Sequence, residues 1–116
     1  MDNQVVWFEV MGSDGDKLRE FYGDLFGWSF KSMEGMDYGM TACEETGIPG
    51  GVGKAPAGPG WVTFYVEVDD ISASLAKAEG KGAKVLMPIT QLPGNSIAVF
   101  ADPEGHPVGL SQSRAA

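Results

Sequence analysis

One cysteine and one histidine stand in 116 residues, and eight basic residues face sixteen acidic ones. Each scarcity excludes something. A single cysteine cannot close an internal disulfide, which suits a reducing cytoplasm. Cys43 is followed by Glu44 and Glu45, whose charge disfavours a thiolate, so a small packing role is expected rather than a nucleophilic one. Sparse Lys and Arg in a chain of net charge −8 argue against nucleic-acid binding, which needs clustered cations. The acidity serves solubility and gives cationic ligands a modest electrostatic preference. No apolar run approaches the roughly 20 residues of a membrane span, and Met1-Asp2-Asn3-Gln4 has no basic leader character. A cytoplasmic protein that leaves membranes alone is the expectation.

What is present suits one compact domain over residues 1–116, with 43% hydrophobic and 21% charged residues. Its most informative stretch is Trp61 to Val68. Val62, Phe64, Val66 and Val68 make an apolar file; Trp61, Thr63, Tyr65 and Glu67 make one that is aromatic at one end and polar at the other. Side chains of a strand alternate between faces, so the first file is expected on a core and the second along a surface that wants rings and hydrogen-bonding groups.

Gln4 to Val10 alternates in the same way, with Val6, Phe8 and Val10 in one file and Val5, Trp7 and Glu9 in the other. Gly12 and Ser13 break it, and Ser13 is the expected N-cap of a helix. Leu18, Phe21, Tyr22, Leu25 and Phe26 recur at helical spacing, and Gly27 is placed to end the helix in the left-handed conformation. Short strands are predicted at Trp28–Lys31 and Tyr38–Cys43. Gly47 to Gly60 reads as a connector with a brief strand near Gly51-Val52. Its Gly51-Val52-Gly53-Lys54 is no phosphate loop, since Ile48 and Ala55 stand where that motif needs a glycine and a hydroxyl.

The second half repeats the order. Asp69 or Asp70 caps a helix with Ile71, Leu75 and Ala78 inward; Ala83–Met87 is a strand, Pro88–Gly94 a loop, and Ser96–Ala101 and Val108–Ser111 are strands around the turn Asp102-Pro103-Glu104-Gly105. Trp7 aligns with Thr63 at an offset of 56 positions (63 − 7), and Gly51 with Gly109 at 58 (109 − 51). The repeat divides the chain into a module over 4–53, a connector over 54–60 and a module over 61–113.

With Phe21-Tyr22-Gly23-Asp24-Leu25-Phe26-Gly27-Trp28 after the first strand, Val66-Glu67-Val68-Asp69-Asp70, and the closing Phe100-Ala101-Asp102-Pro103-Glu104-Gly105-His106-Pro107, the chain resembles the vicinal oxygen chelate superfamily. This is the group of glyoxalase I, bleomycin-resistance proteins and extradiol dioxygenases. The resemblance implies an α+β fold of two tandem βαβββ modules, with curved mixed sheets around a cavity. It also implies metal ligands on the first and last strand of each module. Carried onto this sequence, those positions are Trp7, Thr63, Gly51 and Gly109, which make no usable ligand set, so neither metal nor other cofactor is expected. His106 lies in a turn and is expected to meet solvent.

The cavity-facing files supply Trp7, Glu9, Trp61, Thr63, Tyr65 and Glu67, joined by Met40 and Phe100, as candidate ligand-binding residues. Glu9 and Glu67 are the candidates for acid–base catalysis, against the plainer alternative of solvated carboxylates at strand ends. The leading expectation is a metal-free module that binds a small aromatic or cationic molecule, for sequestration or sensing, as a homodimer. A lyase, isomerase or dioxygenase of the same superfamily and a purely structural interaction module are the alternatives.

Overall fold

The computed structural model describes residues 3–113. They form two compact units, one of residues 7–62 and one of residues 63 onward together with those up to residue 6. In chain order, the first half carries β1 (Val5–Gly12), α1 (Gly15–Phe26), β2 (Lys31–Ser32), β3 (Tyr38–Thr41), α2 (Cys43–Thr46) and β4 (Gly50–Lys54). The strands lie in the order β2-β3-β4-β1, with β1 parallel to β4 and the other pairs antiparallel. The second half carries β5 (Trp61–Glu67), α3 (Ile71–Gly80), β6 (Lys84–Leu92), β7 (Asn95–Ala101) and β8 (Pro107–Ser113), in the order β5-β8-β7-β6 with β5 parallel to β8. Apart from the extra turn of α2, each half reads βαβββ, the expected α+β arrangement. Among the described residues, no helix is long and apolar enough to cross a membrane.

Local chemistry explains most boundaries. Asp14, not Ser13, caps α1: its carboxylate accepts from the Lys17 amide at 3.0 Å, as Asp70 accepts from Ala73 at 3.1 Å to cap α3. Gly27 ends α1 at φ 74°, and its amide donates to the Gly23 carbonyl. The predicted strand at 28–31 shrinks to Lys31–Ser32, because Trp28 turns back to stack on Tyr22 at 5.9 Å. The predicted strand end at Cys43 is instead the start of α2, where Thr46 Oγ1 donates to the Ile48 carbonyl at 2.7 Å. Cys43 is exposed there and packs nothing away. Pro88 does not end β6, which runs on to Leu92; the strand is an edge, where a missing amide costs no ladder bond, and its register with β7 shifts on both sides of Met87.

Burial departs from the expected files. In the second unit, Val68, Ile71, Leu75, Ala98 and Leu110 form a buried cluster joined by Val66 and Phe100. The core therefore sits between α3 and the strands β7 and β8, which supply Ala98 and Leu110. At the other end of that strand Val62 is 72% and Phe64 42% exposed, while Thr63 and Tyr65 of the opposite file are buried. The α1 stripe behaves likewise: Phe21, Leu25 and Phe26 are more than half exposed. Alternation separates the two files, but along β5 the apolar file is not the covered one: Thr63 and Tyr65 are buried where Val62 and Phe64 are open.

Candidate functional site

In the unit of residues 7–62, alternation along β1 puts Trp7 and Glu9 on one face. Glu9 is paired in register with Gly51 of β4, which in turn faces Met40 of β3. Two residues before Met40, on the same face of β3, stands Tyr38. Its hydroxyl donates to Glu9 Oε2 at 2.9 Å and accepts from Trp7 Nε1 at 2.9 Å. Trp61 Nε1 donates to Glu9 Oε1, also at 2.9 Å. One carboxylate thus gathers an indole directly, a phenol directly and a second indole through the phenol. Glu9 is only 9% exposed, whereas both indoles are half-buried and keep part of their surface outside. A buried acid held by aligned donors is a rigid arrangement.

Glycine makes room for it. A Cβ at Gly51 would fall 1.8 Å from the Tyr38 hydroxyl and 1.9 Å from its Cζ, so the ring lies in the space a side chain at 51 would fill. Burial, and then the negative charge of Glu9, push the Tyr38 phenol well above the ordinary tyrosine range. The helix side is braced by Arg19 of α1, whose guanidinium donates to the Val52 carbonyl at 3.0 Å and pairs with Asp37 at 2.7 Å and with Asp16.

Trp7, Glu9, Met40 and Trp61 therefore share one unit, with Tyr38 between them. Sequence pattern alone places Tyr38 only at the start of a strand. A signal existed: Gly50, Gly51 and Gly53 leave β4 almost bare, and a large side chain on a neighbouring strand must fill such a surface.

The remaining candidates lie in the other unit. Thr63 Oγ1 donates to the Pro107 carbonyl at 2.6 Å, and Tyr65 lays its ring over Gly109, which it faces in the β5–β8 pair. Glu67 takes the Ser113 amide at 2.8 Å, a strand-end role. Phe100 packs against the cluster beneath α3. His106 is exposed in its turn and bonds the Asp102 carboxylate, whose pKa the His106 amide holds below the usual range.

One groove lies elsewhere, with a volume of about 430 Å³. It is bordered by Val10, Met11, Leu18, Tyr22, Pro59 and Val62, between the end of β1 and α1. Its walls are mostly apolar and hold none of the hydrogen-bonded cluster.

Known proteins match along nearly all of the chain. The family model described as Glyoxalase/Bleomycin resistance protein/Dioxygenase superfamily matches residues 4–110. The Mycobacterium tuberculosis (strain CDC 1551 / Oshkosh) protein named "Putative glyoxylase CFP32" is 27% identical over 117 residues, covering 92% of this chain and 44% of that protein. The chain thus spans less than half the length of that relative. A glyoxylase-like domain-containing protein of Didymella fabae is 25% identical over 116 residues, covering 91% of each. Among solved structures, a superfamily member from Vibrio splendidus 12B01 superposes with a TM-score of 0.67 at 17% identity, over 97% of this chain and 100% of that one. The Mn(II)-bound glyoxalase of Novosphingobium aromaticivorans superposes with a TM-score of 0.58 at 18% identity, over 99% of this chain and 42% of that one.

A manganese ion is not suited by the residues here. Among the described residues, no three His, Cys, Asp or Glu side chains come together as a ligand group. The two last-strand positions, Gly51 and Gly109, have no donor, and the space beside each holds a tyrosine ring. Trp7 can only donate, and the Thr63 hydroxyl is engaged by Pro107.

Proposed function

Since the chain belongs to the glyoxalase/bleomycin resistance protein/dioxygenase superfamily, we propose that it is a member that binds a small aromatic or cationic molecule without a metal, in sequestration or sensing. The observation that carries this reading is the pair of half-buried indoles, Trp7 and Trp61, bonded into one network with the Glu9 carboxylate. Flat rings supply area for stacking, and a carboxylate among them supplies attraction for positive charge. The lyase, isomerase or dioxygenase alternative asks Glu9 to move a proton. Both of its oxygens already accept from fixed donors, which suits recognition better than turnover. A homodimer belongs to the same reading, supported by the exposed Phe21 and Leu25 of α1.

The test is a thermal-shift screen of small compounds, because a ligand of the native state raises apparent stability by mass action. Hits are expected to lose their effect in Trp7→Ala and Trp61→Ala. Hits that keep their full effect in both variants would place binding elsewhere. About one stoichiometric transition metal per purified chain would restore the enzyme alternative.

A further inference from the structure

We infer that α1 is one half of a symmetric contact between two copies of this chain, packed antiparallel about Phe21. This rests on the homodimer of the reading above and gives it a surface, a direction and a register. At the helical repeat, Lys17, Phe21, Asp24 and Leu25 fall within about a third of the circumference of α1. All four are exposed. Phe21 and Leu25 leave more than half of their area in water, and covering that area is favourable. Among the described residues, neither Lys17 nor Asp24 has an ion-pair partner, whereas Arg19 of the same helix pairs with Asp16 and Asp37. The stripe thus offers two rings' width of apolar surface and one unspent charge of each sign.

The charges choose the direction. A two-fold centred on Phe21 sets position 17 of one helix level with position 25 of the other. Each Lys17 then lays its stem along the partner's Leu25 and brings its ammonium to the partner's Asp24, twice over by symmetry. A parallel pair would set Lys17 against Lys17 and Asp24 against Asp24. The helix dipoles favour the antiparallel choice as well, since each positive end meets a negative one. Shape agrees with charge. Leu18 and Leu25, seven residues apart, lie on one flank of α1, and the two-fold keeps that flank on the same side in both copies. The partner's Leu25 therefore arrives level with Lys17 and Leu18, where the groove of about 430 Å³ opens beside Pro59 and Val62. Val62, 72% exposed in the single chain, is covered by the same move. Glu20 belongs to the opposite flank and keeps its charge in water.

Cysteine variants of the full chain read the register directly, in a Cys43→Ser background because Cys43 is exposed and would cross-link by itself. Helices packed about 8–10 Å apart bring facing Cα atoms within disulfide reach. Under mild oxidation, Phe21→Cys is expected to link to itself. Lys17→Cys is expected to link with Leu25→Cys and not with itself. In sedimentation, Lys17→Glu is expected to weaken the dimer at least about tenfold, since two attractions become two repulsions. Lys17→Glu combined with Asp24→Lys is expected to return it to within about threefold of wild type, which also shows that the charge variants fold. Lys17→Cys linking to itself as fast as Phe21→Cys would overturn the antiparallel register. A wild-type dimer that neither links through Phe21→Cys nor responds to Lys17→Glu would overturn the surface. A wild-type monomer would overturn the dimer altogether. The small-molecule reading is judged apart from all of these, by the thermal-shift hits and their loss in Trp7→Ala and Trp61→Ala.

Discussion

Tyr65 stands directly across from Gly109 in the parallel β5–β8 pair, and a Cβ at 109 would fall 2.3 Å from its ring. The glycine is therefore a receptor for a side chain rather than a flexible point. Gly109→Ala is expected to destabilise by about 1–3 kcal/mol, read from denaturant midpoints. Its cost is expected to shrink once Tyr65→Ala has emptied the space, a coupling that a double-mutant cycle measures. Gly80 is the control: it meets nothing within 4 Å, and Gly80→Ala is expected to stabilise by up to about 1 kcal/mol.

The helix caps give a second expectation. Asp14→Ala and Asp70→Ala each remove a bond from a carboxylate to a first-turn amide, and each should cost about 1 kcal/mol. Ser13→Ala, one residue before the true cap, should stay within about 0.5 kcal/mol of wild type. Thermal unfolding of the three variants under one buffer decides between the residues.

The phenol of Tyr38 predicts a response to alkali. Burial, then the charge of Glu9, raises its pKa above the ordinary 10.0. The folded state therefore keeps a proton that the unfolded chain releases. Stability from this group is complete below about pH 10 and falls as the pH climbs toward the raised value, at up to about 1.4 kcal/mol per pH unit. Tyr38→Phe carries no such proton, so its stability curve should be flatter above pH 10. Parallel slopes would mean that the phenol titrates freely in the fold.

The exposed stripe of α1 bears on assembly. Phe21 and Leu25 are 57% and 58% exposed, more apolar surface than a free helix face usually shows. Sedimentation is expected to give a dimer for the wild type and a monomer for Phe21→Glu combined with Leu25→Lys. A wild-type monomer at micromolar concentration would remove the dimer from the proposal.

The order of elements was legible because strand and helix periods are local. Val6-Phe8-Val10 and Leu18-Phe21-Tyr22-Leu25 announce themselves, and Gly27 ends a helix through its own backbone freedom as Asp70 begins one through its carboxylate. Three things depended on more distant contacts. Four residues of α2 are too few to show a period, and a strand through Pro88 depends on its being an edge. The burial of Thr63 goes with its bond to the Pro107 carbonyl, 44 residues away. The site was half legible: Trp7, Glu9 and Trp61 followed from alternation, but Tyr38 joins them across sequence separations of 31 and 29 residues, which no local pattern carries.

The broken register of β6 has a consequence for how this protein ages in solution. Nearly all of that strand is open to water, and Val85, Leu86, Ile89 and Leu92 would make a sticky template if it were flat. Pro88 withholds an amide at its middle, and the two shifts around Met87 throw the hydrogen-bonding groups out of line for an incoming chain. Replacing the proline with valine would give this margin a straighter, better-paired rim, so the imino ring acts there as a guard against fibrous growth.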